Sequence, residues 1–385
     1  MKVLVTSCPN QGHFYPMIPL LWALRSAGHH VVVAMPKSMA GVSAAAGVSA
    51  ISLGEDVPLA ELVPDHARRP PQDASVGSLA EHVADYYGPL AERHVGRLFE
   101  IAERWRPDVV LHTSWEYAGP IVAARLGIPT VRHGWGLTLP PEVDELVHQR
   151  LAYLYRDWGL HGAPPPPVRW IDVCPRSMQV GKPPAESLPM SWIPFNGSAV
   201  LPDWLLEKPL GKRVAVTLGN VPIRGKHSEV LHTTLEAMRD IDAEVVVAAG
   251  WGLDHDGDLP ENVRVVRGMP LHDLLPTCDL VINHGGAGSL LATIAHGLPQ
   301  LVLPQMCVHF QHGDRLAAIG GAVSLHPAEQ TVENIREAVC GLLTHSGARL
   351  VAARLQQEND DQLSAASVVK HLETVVAPRT EWVAA

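Results

Sequence analysis

Two short stretches of this 385-residue chain hold residue types able to move a proton or grip an anion. His13 ends the run Cys8-Pro9-Asn10-Gln11-Gly12-His13, turn formers that directly follow an apolar stretch. A histidine there can take a proton from a hydroxyl near neutral pH. The second stretch, Asn283-His284-Gly285-Gly286-Ala287-Gly288-Ser289, joins the apolar run Leu280-Val281-Ile282 to the helical pattern Leu290, Leu291, Ile294. Glycines permit close approach, and the free amides at a helix start bind phosphate oxygens. His284 can donate to such an oxygen, and Ser289 can set its hydroxyl beside it. A diphosphate fits that chemistry. The same residues also serve as ordinary backbone caps, and the loop has neither Gly-x-Gly-x-x-Gly order nor a P-loop lysine.

The elements that position these stretches alternate. Residues 3–6 predict a strand, the apolar positions Ile18, Leu21, Leu24 and Ala27 a helix stopped by Gly28, and 31–35 the next strand. This is a βαβ unit, which calls for a parallel sheet covered by helices. Helix over 79–103, strand 108–111, helix 118–126 and strand 129–132 continue the series. Residues 58–78, broken by Pro64, Pro70, Pro71 and Gly77, predict a loop. A second series starts at 214–218, with strands at 244–248, 263–266, 280–283 and 301–304. Helices at 230–238, 271–275, 288–296 and 311–319 separate them, and a long helical end runs from Thr331 to about Val376. Prolines at 189, 194, 202 and 209 mark the change between series. The expected organisation is a first domain over 1–200, a second over 201–360, and a terminal helix in 361–385 packing back on the first. Two βα series without a short internal repeat indicate paired doubly wound α/β domains facing across a cleft.

Composition narrows the partners. With 30 Lys and Arg against 40 Asp and Glu, the net charge is -10, and no long basic cluster offers a nucleic-acid surface. Cys8, Cys174, Cys278, Cys307 and Cys340 show neither a disulfide framework nor a zinc spacing, which suits a reduced, cytoplasmic setting. No apolar segment approaches the ~20 residues of a membrane span, so no stable membrane insertion is expected. A homodimer is allowed for. The 21 histidines form no convincing metal pattern, and His309 and His312 read as residues of a helix surface.

Several ordered motifs are shared with a known family. Gly12-His13-Phe14-Tyr15-Pro16, Leu20-Leu21-Trp22-Ala23-Leu24, Ala27-Gly28-His29, the stretch from Met269 to Pro276, the His284 loop and Ala295-His296-Gly297-Leu298-Pro299-Gln300 resemble the GT-B glycosyltransferases. The likeness is to their bacterial antibiotic and natural-product branch, and it covers nearly the whole chain. It implies that the C-terminal domain binds an activated sugar, with His284, Gly285, Gly286, Ala287, Gly288 and Ser289 at the diphosphate. It also implies that Met269 and Leu271 frame the nucleobase, while Gly219 and Asn220 face the donor. Where the family commonly has an Asp-Gln pair on sugar hydroxyls, this chain has Val308-His309. Val308 cannot accept a hydrogen bond, so a less hydroxylated sugar, a thymidine-diphosphate deoxysugar, is expected in place of glucose.

The resemblance makes His13 the base in a direct, inverting displacement without a metal or tightly bound cofactor. Many relatives orient this histidine with an Asp where this chain has Thr113. Glu116 is the anion nearest in sequence, equally able to pair with His13 or to lie solvated at a helix start. Phe14, Tyr15, Trp115, Tyr117 and Trp135 offer surfaces for an apolar acceptor, although core packing is an ordinary use of each. A UDP-sugar donor, a noncatalytic nucleotide-sugar binder and an epimerase are the competing readings. Donor-dependent product, donor binding without turnover, and conversion of the donor alone distinguish them.

Overall fold

The computed structural model describes residues 1–68, 75–181, 183–184, 186–207, 209–219, 226–249 and 259–376. The chain divides into two compact units. The first comprises Met1–Cys174, Gln179–Ser191 and the chain from Gln362, and the second Pro175–Met178 and Trp192–Asp361.

The first unit is built on a seven-stranded sheet. Its strands are β1 (Lys2–Thr6), β2 (His30–Met35), β3 (Ala50–Ser52), β4 (Val109–Thr113), β5 (Thr130–His133), β6 (Arg169–Asp172) and β7 (Ser187–Pro189). Their order is β3-β2-β1-β4-β5-β6-β7, and every pair is parallel. The β-branched, apolar run of β1 suits a centre strand covered on both faces, and Val3, Leu4 and Val5 are buried. The helix Val76–Trp105 starts where the Ser75 side chain accepts from the Ser78 amide, and ends at Arg106 in a left-handed conformation. The last described helix, Ala365–Val375, brings Glu373 to His29 at 3.0 Å, and Leu372 and Val376 share an apolar cavity with Leu24 and Val109.

The second unit repeats the plan with six parallel strands. They are β8 (Lys212–Thr217), β9 (Ala243–Ala249), β10 (Val263–Arg267), β11 (Leu280–Asn283), β12 (Gln300–Val302) and β13 (Ala322–Ser324), in the order β10-β9-β8-β11-β12-β13. Alternate residues feed separate cores on the two faces. Val214, Val216, Val245, Val247, Leu280 and Ile282 pack on one side, and Ala215, Val246, Ala248 and Val281 on the other.

In each sheet the winding reverses between the first strand of the unit and the fourth. The loops leaving the carboxyl ends of such a pair diverge and open a crevice, the general ligand position of open α/β sheets. Here the pairs are β1 with β4 and β8 with β11.

Three expectations need correcting. The helical end is broken into Val332–Thr344, Ser346–Asp360 and Ala365–Val375, because His345 and Ser364 adopt extended conformations, and the Ser364 side chain caps a new start. The helix expected from residue 311 begins at Cys307, so Val308 and His309 are helical. His309 and His312 are 6% and 3% exposed, and so belong to a buried layer instead of a surface. Strands β3, β6, β7 and β13, of three or four residues each, had no counterpart in the pattern.

Candidate active site

In the first unit, β1 and β4 end side by side. After β1, the Asn10 side chain accepts from the Gly12 amide at 2.7 Å and starts the four-residue helix Gln11–Phe14, which holds His13 off the strand end. His13 is 6% exposed. Its ring lies 4.7 Å from that of Trp135, 5.6 Å from Trp115 and 5.9 Å from Tyr87, and its Nδ1 has no hydrogen-bond partner. Burial pulls its pKa down to about 4, with the Ser114 backbone acting weakly the other way, so the imidazole is neutral at neutral pH.

The two expected partners of His13 are occupied elsewhere. Thr113 Oγ1 donates to Ser7 Oγ and accepts from the Cys8 amide, both at 3.4 Å. The Glu116 carboxylate accepts from Thr6 Oγ1 at 2.5 Å and from the Gly119 amide at 3.0 Å, which caps the helix Ala118–Leu126. Burial raises its pKa, against those hydrogen bonds. Trp115 makes this turn possible with a φ of 68°, a strained conformation for a bulky residue.

Of the aromatic residues expected to meet an acceptor, Trp115 and Trp135 line a narrow recess, with room for little more than a water or two, together with Ser114, Arg132, Leu137, Thr138, Asp144 and Trp170. Phe14 lies wholly in the core, Tyr15 is half-buried, and Tyr117 is buried with its ring edge-on to His148. Within the recess, Arg132 stacks 4.2 Å from Trp170, donates to Ser114 Oγ at 3.1 Å and grips both Asp144 oxygens at 2.7 and 3.3 Å. Burial pushes the Asp144 carboxyl up, but the guanidinium outweighs it and keeps the group below the usual range. The indole Nε1–H of Trp135 is buried without an acceptor.

The second unit assembles the glycine loop at the ends of β8 and β11. His284 is buried between two glycines: a Cβ on Gly219 would lie 2.7 Å from its Cε1, and one on Gly286 would overlap its Nε2. Gly219 and Gly285 have φ of 79° and 83°, where other residues are strained. The Gly285 amide donates to Asn283 Oδ1 at 2.8 Å, Asn283 Nδ2 donates to Gln300 Oε1 at 2.8 Å, and Gln300 Nε2 donates to the Leu290 carbonyl at 3.1 Å. His312 Nδ1 donates to the Gly285 carbonyl at 2.7 Å. The loop is thus fixed from beneath by three buried side chains. It delivers the helix Ala287–Ala295, whose first turn, with Ala287, Gly288 and Ser289, has no side-chain cap at Gly286. Uncapped amides beside an imidazole suit an anion.

The remaining expected donor residues divide. Met269 is half-buried, and Leu271 packs in the core with Leu274 and Val281. Asn220 lies outside the described residues. Val308 is half-buried near the start of its helix, whereas His309 turns its ring edge-on to His284 at 4.7 Å. Among the described residues, no three His, Cys, Asp or Glu are grouped to hold a metal, and no helix is long and apolar enough to cross a membrane.

The N-terminal domain model of the erythromycin biosynthesis protein CIII-like family matches residues 22–219, and its C-terminal domain model matches 232–375. The chain belongs to this family. The L-demethylnoviosyl transferase of Streptomyces niveus is 37% identical over 386 residues, covering 97% of each chain. Among solved structures, the glycosyltransferase SnogD from Streptomyces nogalater is 32% identical with a TM-score of 0.82, over 98% of this chain and 99% of its own. The spinosyn rhamnosyltransferase SpnG complexed with thymidine diphosphate is 29% identical with a TM-score of 0.85, over 97% of this chain and 100% of its own. SpnG has also been solved with spinosyn aglycone. The two doubly wound units are therefore a GT-B fold, as the sequence resemblance implied.

In this CIII-like chain the His284 loop falls inside the matched C-terminal span, whereas His13 precedes the matched N-terminal one. Sequence reasoning missed the Arg132–Asp144 pair, Trp170, Tyr87 and His312. Only the alternation of Arg132 with apolar Val131 on β5 hinted that an isolated cation was facing into the protein.

Proposed function

We propose that this chain is an inverting glycosyltransferase that moves a deoxysugar from thymidine diphosphate to a hydroxyl of a hydrophobic natural-product aglycone or glycosylated intermediate. The observation that carries the reading is the furnishing of both strand-pair crevices in one chain. One holds a neutral, desolvated imidazole beside an aromatic recess, and the other an imidazole and an uncapped helix start. The full-length likeness to named sugar transferases, and the thymidine diphosphate bound by a neighbour, support the same reading.

In the proposed reaction, His13 accepts the acceptor proton as the hydroxyl oxygen bonds to the anomeric carbon. The bond from that carbon to the diphosphate breaks, and its electron pair leaves with the nucleotide. His284 and the first-turn amides of Ala287, Gly288 and Ser289 then stabilise the charge gathering on the departing phosphate. Gly219 and Gly286 leave room for the His284 ring, while Met269 and Leu271 border the base. Val308 offers the sugar no hydrogen bond, which suits a deoxygenated ring.

Direct binding of thymidine-diphosphate and UDP sugars to the purified chain, followed by intact-mass analysis of acceptor mixtures, tests this. Tighter binding and faster turnover with thymidine-diphosphate deoxysugars than with UDP-glucose is the expected result. The reverse preference overturns the deoxysugar assignment. Folded protein that binds no nucleoside diphosphate overturns the donor site itself.

A further inference from the structure

Given the transfer proposed above, the His13 ring must be held in place, and neither Thr113 nor Glu116 holds it. We infer that Arg132, fixed by Asp144, is a positioning residue: by gripping the Ser114 hydroxyl it locks the left-handed turn at Trp115, whose indole sets the His13 ring.

The turn needs outside support. β4 ends at Thr113, and the Glu116 amide donates to the Thr113 carbonyl at 3.3 Å, which closes the chain around Ser114 and Trp115. Trp115 sits inside that turn with a φ of 68°, costly for any residue with a Cβ and more so for one with a bulky ring. Such a conformation persists only where the flanking residues are themselves fixed. On the far side, the Glu116 carboxylate is engaged by Thr6 and Gly119. On the near side, the Ser114 amide donates to the His133 carbonyl at 3.2 Å, and Ser114 Oγ accepts from Arg132 Nε at 3.1 Å.

Arg132 is itself a fixed point. Its guanidinium donates to both Asp144 oxygens, at 2.7 and 3.3 Å, and lies 4.2 Å from the centre of the Trp170 ring. A planar cation that is both stacked and gripped by a carboxylate keeps one orientation. Strands β5 and β6 and the helix Pro141–Arg150 therefore meet at the group that holds Ser114.

The turn delivers a wall. The Trp115 ring lies 5.6 Å from His13, 5.4 Å from Tyr87 and, edge-on, 4.9 Å from Trp135. Released from Arg132, the turn relaxes toward a negative φ, the indole withdraws, and water reaches the imidazole. The ionisable groups beside the ring are engaged in other contacts. Cys8 points its thiol at the Ser114 carbonyl, 3.8 Å away, Tyr87 meets His13 through its own ring, and Glu116 caps its helix. An ion pair thus acts on the base at one remove, through a backbone turn, where an acidic partner was expected at position 113.

The test uses the full chain with its histidines isotopically labelled, the His13 resonance being assigned by its loss in His13→Ala. In the wild type this ring should stay neutral down to about pH 5. Ser114→Ala removes the acceptor for Arg132, and should raise the His13 midpoint by about one unit or more toward the ordinary 6.5. Arg132→Lys keeps the charge but loses the fork, and should do the same. Ser114→Thr keeps a hydroxyl and should restore the wild-type titration. On the acceptor found by intact-mass analysis, Ser114→Ala should lower kcat by about tenfold or more, with thymidine-diphosphate binding unchanged. An unmoved midpoint in folded Ser114→Ala or Arg132→Lys overturns the inference, and so does an equal shift in Ser114→Thr or an unchanged kcat in Ser114→Ala. The titrations use neither donor nor acceptor, so they decide the role of Arg132 even if the chain transfers no sugar.

Discussion

A methyl group on Gly286 would occupy the space filled by Nε2 of His284, and one on Gly219 would press on the same ring from another strand end. The loop can therefore hold its histidine only while both positions lack a side chain. Gly286→Ala should expel the ring and weaken thymidine-diphosphate binding by about tenfold or more, with the fold retained. Gly219→Ala adds backbone strain at a φ of 79° and should weaken it further. Calorimetric titration of the nucleotide checks both, and unaltered affinity in either variant would separate His284 from the donor.

His13→Ala should lower turnover on the order of 100-fold if the imidazole supplies general-base catalysis, with nucleotide affinity unchanged. Because burial holds the pKa at about 4, the base is already deprotonated well below pH 6. The acid limb of kcat/KM, which reports the free enzyme, should accordingly fall near pH 4 in place of the ordinary imidazole range. A limb at 6.5 would mean that a different group accepts the proton.

Glu116 is committed to the Ala118–Leu126 helix start, so Glu116→Gln should leave the pH profile of kcat unchanged. Glu116→Ala should cost about 1–2 kcal/mol of stability through the lost cap. The carboxyl pKa is raised in the folded state, so its contribution is present at low pH and is lost as pH rises through that raised value. Wild type should therefore gain stability relative to Glu116→Gln as pH falls from 7 toward the ordinary 4.5, which paired denaturant titrations would measure. A shifted kcat profile in Glu116→Gln would restore the carboxylate as partner of His13.

Val308→Asp places an anion in the first turn of the helix Cys307–Ala318, where the helix dipole favours it, so stability should be kept. Relative kcat/KM for a hydroxyl-rich donor over a deoxysugar donor should rise if this position faces the sugar. An unchanged ratio in competition assays would remove Val308 from the donor pocket.

What could be read from the sequence follows the range of each interaction. The inner strands announce themselves as β-branched apolar runs because both faces are buried, and His13 and His284 stand out because glycine and turn formers beside them are local signals. The short strands β3, β6, β7 and β13, three of them at sheet edges, do not, since Ala50-Ile51-Ser52 or Ser187-Leu188-Pro189 mixes polar and apolar residues too briefly to show a pattern. Arg132 and Asp144 are 12 residues apart on different elements, and only folding brings them together, with Arg132 over Trp170. His312 looks like a surface residue until the helix start moves to Cys307 and turns it beneath Gly285. Glu116 was equally open to two uses, and the left-handed Trp115 just before it decides which.

The chain from Gln362 belongs with the first unit although the whole second unit precedes it. During synthesis, the ribosome must therefore finish Trp192–Asp361 before the helix Ala365–Val375 exists to cover Leu24 and reach His29. The earliest-made sheet waits longest for its final piece, with that apolar surface open to chaperones or to aggregation in the interval. Yield on expression should thus depend on the helix Ala365–Val375 as strongly as on the strands of the first unit.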